Sequence, residues 1–148
     1  MRLVSALPSA STLVHGDLHT GNVFMARGEP LLIDMDRVSR GHPIVDLADL
    51  YYFYVVLGED DPAVVERFMG FSYGTARAFF DAFLRSYLGT DDEARIAEVT
   101  EKASVVCHTR LIRKLRRRGA PGKVGRAAID RCLERIDELT RRYETLTF

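Results

Sequence analysis

The stretch that decides the fold is His15-Gly16-Asp17-Leu18-His19-Thr20-Gly21-Asn22, followed downstream by Ile33-Asp34-Met35-Asp36. An apolar run, Thr12-Leu13-Val14-His15, leads into it, and a second, Val23-Phe24-Met25-Ala26, leaves it. Arg27-Gly28-Glu29-Pro30 then turns the chain into Leu31-Leu32-Ile33-Asp34. Two β-type runs joined by a four-residue turn containing Gly predict a hairpin. That hairpin returns Asp34 to the polar loop, so the oxygens of Asp17, Asn22 and Asp34 can converge on one small volume. Hard oxygen donors of this kind suit Mg²⁺, which takes one or two protein carboxylates and completes its shell with water and phosphate. A further carboxylate beside such an ion can orient an attacking hydroxyl and accept its proton. Phosphoryl transfer needs this division of labour: a positioned nucleophile and neutralised charge.

Beyond about residue 40 the pattern becomes helical. Pro43 can open a helix, and Ile44 to Leu57 is almost wholly apolar or aromatic, which predicts a helix buried on most sides. Asp61-Pro62 reads as an N-cap followed by Pro at the first helical position, opening a short helix to about Met69. Thr75 to Leu88 carries Ala78, Phe79, Ala82 and Phe83 at three- and four-residue spacing. Thr90-Asp91-Asp92-Glu93 fits a capping box for a helix running to about Arg117, with Gly119-Ala120-Pro121-Gly122 as the break after it. A last amphipathic helix places Ile129, Leu133, Ile136 and Leu139 on one face. The expected organisation is a single domain over 1–148, with the loop and hairpin at about 12–40 and a helical part at about 43–146.

His-x-Asp, four residues, Asn, then a strand ending in Asp resembles the catalytic loop and metal loop of kinase-like folds. The form here, HGDLHTGNVF followed by LLIDMD, is similar to the aminoglycoside phosphotransferase and choline kinase branch, most clearly over residues 12 to 55. The resemblance implies an α+β, mainly α fold: the C-terminal lobe of a protein-kinase-like enzyme, with a small β-hairpin and about five helices. It implies Asp17 as catalytic base, Asn22 and Asp34 as Mg²⁺ ligands, and His15 as a support of the loop. Asp46, at the start of the apolar helix, would hold the loop by accepting backbone N–H bonds, and a carboxylate in such a helix needs partners of this kind. Asp36 is assigned at most an outer-shell role, and His19 has no assigned role. The implied reaction is ATP- and Mg²⁺-dependent phosphorylation of a small-molecule hydroxyl, with an aminoglycoside- or choline-like acceptor.

Members of this family carry an N-terminal lobe with a phosphate-covering loop, a strand Lys and the adenine hinge. Here sixteen residues precede Asp17 and the first lysine is Lys102. The N-lobe is therefore expected to be absent from this chain, which alone is expected to bind ATP weakly and to be catalytically incompetent. The competing expectation is a non-catalytic C-lobe that binds a partner or itself. An uncovered lobe interface favours association, as a homodimer or with a separate N-lobe chain.

Other signals read more plainly. Lys+Arg and Asp+Glu are 21 each, so no charge excess points to nucleic acid or an anionic membrane. The longest apolar run, Leu50 to Leu57, is far short of a bilayer span. Cys107 and Cys132 read as reduced thiols of a cytoplasmic protein. Gly16-Asp17-Leu18-His19 shares Asp-x-His with metallophosphoesterases, but His42 and His108 do not supply their remaining ligands. Gly119 to Val124 departs from a phosphate loop, because Arg117 stands where Gly should and Val124 where Ser or Thr should. Arg110, Arg113, Lys114 and Arg116 to Arg118 read as a solvated basic helix end, favoured by the helix dipole. Tyr51 to Tyr54 and Cys107-His108 read as packing residues. Glu59-Asp60-Asp61 could meet a cationic acceptor, although an acidic loop before a helix is common.

Overall fold

The computed structural model of the chain describes residues 2–8, 12–117 and 122–148. In chain order its elements are α1 (Arg2–Ser5), β1 (Leu13–Val14), β2 (Val23–Ala26), β3 (Glu29–Leu32), β4 (Ser39–Arg40), α2 (Ile44–Tyr54), α3 (Pro62–Met69), α4 (Tyr73–Leu88), α5 (Glu93–Arg117) and α6 (Lys123–Thr140). Single 3₁₀ turns lie at Thr20–Asn22, Met35–Arg37 and Val56–Gly58. The fold is α+β and mainly α, as expected; the helix not foreseen is α1, a single turn.

β2 and β3 pair antiparallel, with Val23 opposite Leu32 and Ala26 opposite Glu29. Their turn is only two residues, Arg27 and Gly28, both at positive φ (54° and 87°). The primed turn geometry matches the twist of the strands, so Glu29 and Pro30 extend β3 instead of forming part of a four-residue turn. β1 pairs with β4, Leu13 opposite Arg40 and Val14 opposite Ser39.

α2 is the centre of the fold. Ile44, Leu47, Ala48, Asp49, Leu50, Tyr51 and Tyr54 are all buried along its eleven residues. It stops at Val55, where two β-branched residues in succession lower helix propensity and a 3₁₀ turn takes over. The main core joins α2 to Phe80 and Leu84 of α4 and to Val99, Val105 and Val106 of α5. Each such side chain contributes about 1.5–3 kcal/mol by leaving water. Lys102 of α5 is buried, and its Nζ donates to the Thr147 carbonyl (2.7 Å) and pairs with Glu98 (2.6 Å), tying down the C-terminal tail.

Asp61 caps α3 through the Ala63 N–H (3.1 Å), with Pro62 as its first residue. The capping box at Thr90 does not form. Asp92, one residue before the helix, accepts from Ala94 N–H (2.9 Å), and Thr90 Oγ1 accepts from Asp92 N–H (3.1 Å). Glu93, free of that duty, pairs with Arg85 (2.6 Å). On α6, Ile129, Cys132 and Ile136 form a second cluster with Ile112, whereas Leu133 is 44 % exposed and lies off the buried face. Cys107 and Cys132 are free and buried. Of the Gly119 to Gly122 break, residues 119–121 lie outside the described residues, as does Arg118 of the basic helix end. No helix among the described residues is long and apolar enough to cross a membrane.

Candidate active site

The polar loop is built by a chain of hydrogen bonds that crosses three elements. His15 and Gly16 each donate a backbone N–H to Asp46 at the start of α2, at 2.8 Å to Oδ2 and Oδ1 respectively. His15 is buried, and its Nε2–H donates to the Ile33 carbonyl at the end of the hairpin (2.9 Å). Ile33 N–H in turn donates to the Asn22 carbonyl (3.0 Å). Asn22, also buried, closes the loop by donating Nδ2–H to the Asp17 carbonyl (2.8 Å). From α5, Arg110 donates to the Gly16 carbonyl (3.0 Å). The backbone around Asp17 is thus fixed from the hairpin, from α2 and from α5.

Gly16 permits the sharp entry to this loop. Its φ is +78°, and a Cβ there would stand 3.0 Å from the Arg37 carbonyl oxygen. His19 tightens the exit: Nδ1 accepts from Gly21 N–H (3.0 Å), and its ring packs on Phe53 at a centroid distance of 4.5 Å. Partial burial lowers the His19 pKa, against the opposing pull of the Asp17 carboxylate. The proton-free Nδ1 required for the Gly21 bond agrees with that direction.

Asn22 Nδ2 is engaged with Asp17, so Oδ1 is the amide atom left for another ligand. Asp34 sits in the left-handed region (φ 58°, ψ 56°) and its carboxylate caps nothing. A non-glycine residue held there costs of order 1–2 kcal/mol, and such strain gathers at functional sites. Asp17 is half-buried, with Arg37 3.6 Å from its carboxylate. Asp36 is exposed in the following 3₁₀ turn. Among the described residues no three His, Cys, Asp or Glu side chains gather as a metal cage. The donors present are a carboxylate and an amide oxygen tied together through Ile33. Such a set fits a hard dication that keeps several waters, as Mg²⁺ does.

Asp17 also opens onto a cleft of about 690 Å³ between α2 and α5, lined by Arg37, Asp49, Phe53, Arg110, Lys114 and Arg117 among others. Asn22 and Asp34 do not line it. Cys107 reaches the cleft, but burial pushes its thiol far up and keeps it protonated. Asp49 pairs with Arg110 through Oδ1 (3.1 Å), while its Oδ2 is buried without a partner. Burial lifts Asp49 to about 7 in spite of the guanidinium.

Arg37, Asp49 and Arg110 were not singled out as site residues by sequence reasoning. Asp49 follows Asp46 by one helical turn, which is the one local signal it offered. Arg110 lies 94 residues from the carbonyl it holds, beyond any pattern-based reading.

Asp17, on a polar loop locked onto a hairpin and a buried helix, opens onto a ligand-sized cleft, an arrangement that suits a phosphotransferase. The model of the phosphotransferase enzyme family matches residues 2–99, about two thirds of the chain, and the chain belongs to that family. No curated protein and no solved structure matches it.

Proposed function

We propose that this chain is the catalytic-loop portion of an enzyme that moves the γ-phosphoryl group of ATP, with Mg²⁺, onto the hydroxyl of a small molecule. The observation that supports the reading is that Asp17 lines the cleft while its carbonyl takes the Asn22 Nδ2–H, and the Asn22 carbonyl in turn takes the N–H of Ile33, next to Asp34. An acceptor in the cleft presents its hydroxyl to Asp17, which orients it and takes its proton. Asn22 and Asp34 would hold Mg²⁺, whose chemistry there would be neutralisation of phosphate charge. Asp46 and Arg110 fix the loop backbone so that Asp17 does not reorganise during the reaction.

The first lysine, Lys102, is buried against Thr147 and Glu98 and is not available to phosphate. On this reading the chain alone binds ATP weakly and works with a nucleotide-gripping lobe. The hairpin supplies apolar surface for one on both of its sides: Phe24 with its cross-strand partner Leu31 on one (59 % and 53 % exposed), Met25 and Leu32 on the other (60 % and 45 %). Contiguous exposed apolar residues of this kind support association. Self-association through the hairpin is the second reading, and it requires no catalysis.

The test is a fusion of this chain behind the nucleotide-binding lobe of an active phosphotransferase of the same family, assayed with radiolabelled ATP, Mg²⁺ and a panel of hydroxyl compounds. Transfer that falls at least ~10²-fold in Asp17→Asn, with folding intact, is the expected result. Transfer unaffected by Asp17→Asn, or micromolar ATP affinity in the chain alone by calorimetry, would overturn the proposal.

A further inference from the structure

The cleft beside Asp17 has a charge that its family membership does not supply. Arg110, Arg113, Lys114 and Arg117 are spaced by three and four residues, so they share one face of α5. All four line the cleft, and Arg37 joins them from the loop side. The matching family model ends at residue 99, so this face lies outside it. Read in sequence as a solvated helix end, in the structure it forms one wall of the cleft that reaches Asp17.

Two carboxylates, Asp17 and Asp49, line the same cleft. Both already have a cation: Arg37 stands 3.6 Å from Asp17, and Arg110 3.1 Å from Asp49. Arg113, Lys114 and Arg117 have no acidic partner among the described residues. Lys114 Nζ instead lies 5.2 Å over the Tyr52 ring, which holds it at the cleft wall. The acidic loop that could have met a cationic acceptor is engaged elsewhere. Asp60 pairs with Arg131 (2.9 Å), Asp61 caps α3, and Glu59 lines a different cleft with Arg77.

We infer that the cleft takes an acceptor that carries an anionic group, a carboxylate or a phosphate monoester, with its hydroxyl at Asp17 and its anion on Arg113, Lys114 and Arg117. The role of Asp17 in this inference rests on the phosphotransferase reading above. Guanidinium groups bind such anions through paired N–H donors. A choline-like or polycationic acceptor would instead meet three unmatched like charges. The helix also sets a size. Arg110 bonds the carbonyl next to Asp17, and Arg117 lies seven residues on, roughly 10 Å at the rise of an α-helix. The anionic group therefore lies within roughly 10 Å of the hydroxyl, with Phe53 and Leu111 against the carbon skeleton between them. A cleft of about 690 Å³ is in the range that holds a small metabolite.

The test is an NMR titration of the chain, without ATP, followed at the amides of Ala48, Phe53 and Leu111. The probes are glycerol 3-phosphate, D-glycerate, glycerol, choline and a single-stranded DNA 12-mer. At least one of the two anionic probes is expected to shift the cleft amides with a Kd at least tenfold below those of glycerol and choline. Which of the two binds tighter separates a phosphate source from a carboxylate source. Lys114→Gln and Arg117→Gln, both exposed and remote from the core, are each expected to weaken that binding three- to tenfold with unchanged Tm. The inference is overturned if neither anion outbinds choline, if both variants bind as the parent does, or if the DNA binds tighter than either small anion and displaces it. Because ATP is absent, a failure of the Asp17→Asn transfer test leaves this result standing, and the reverse also holds.

Discussion

Gly16 and Asp46 lie 30 residues apart, yet the Gly16 amide donates to Asp46 Oδ1 at 2.8 Å. The other carboxylate oxygen takes the His15 amide at the same distance. One side chain on the first turn of α2 therefore satisfies two consecutive N–H groups of the loop that presents Asp17. The arrangement couples the site to the most buried helix of the fold. A shift of α2 would move Asp17 with it.

Removing that carboxylate leaves two loop donors without an acceptor. Asp46→Ala is expected to cost about 2–4 kcal/mol in chemical denaturation. Amide signals of residues 15 to 22 should shift far more than those of α6. A cost below about 0.5 kcal/mol would mean that the loop does not depend on this contact.

Gly16 and Gly28 both have positive φ, but only Gly16 has a neighbour where a Cβ would go. Gly28→Ala pays the backbone term alone, about 1 kcal/mol. Gly16→Ala adds the approach to the Arg37 carbonyl oxygen, and about 2–3 kcal/mol is expected. Urea denaturation of the two variants side by side checks the order, and equal costs would contradict it.

Asp49 gives the fold a pH signature. Its carboxyl ionises near 3.8 when unfolded and is raised to about 7 when folded, through burial first and against the pull of Arg110. The folded chain therefore holds an extra proton between those values. Its contribution is fully present below about pH 4 and is lost as pH rises through 7, about 2–4 kcal/mol across the range. Asp49→Asn cannot make this change. The stability of the parent minus that of Asp49→Asn should therefore fall from pH 4 to pH 8 and then level off. A flat difference curve would show that Asp49 is ionised throughout.

Much of this architecture was legible in the residues themselves. Apolar runs on either side of the polar stretch His15 to Asn22 and of the turn at Gly28 announced the loop and hairpin, and Asp61-Pro62 announced α3 to the residue. The misreadings have local causes. Arg27 occupies a left-handed position that its side chain does not advertise, so the two-residue turn looked like four. Asp92 lies closer to the helix start than Thr90 and captured the cap. Periodicity alone does not choose between Cys132 and Leu133, and the position of Ile112 on α5 decides it. The Asp49–Arg110 pair and the basic wall of the cleft depend on which face of α5 meets α2. That choice is made by packing between distant segments, and no spacing in the sequence records it.

In the proposed function, Asn22 and Asp34 offer oxygens to one dication beside Asp17. Paramagnetic broadening by Mn²⁺, read on the amide spectrum of this chain, tests it most directly. Asn22, Ile33 and Asp34 are expected to broaden at the lowest Mn²⁺ concentration, excess Mg²⁺ to restore them, and Asp34→Asn to abolish the effect. Broadening that begins instead at the exposed acidic run Asp91, Asp92 and Glu93, with Asn22 and Asp34 still sharp, would contradict it.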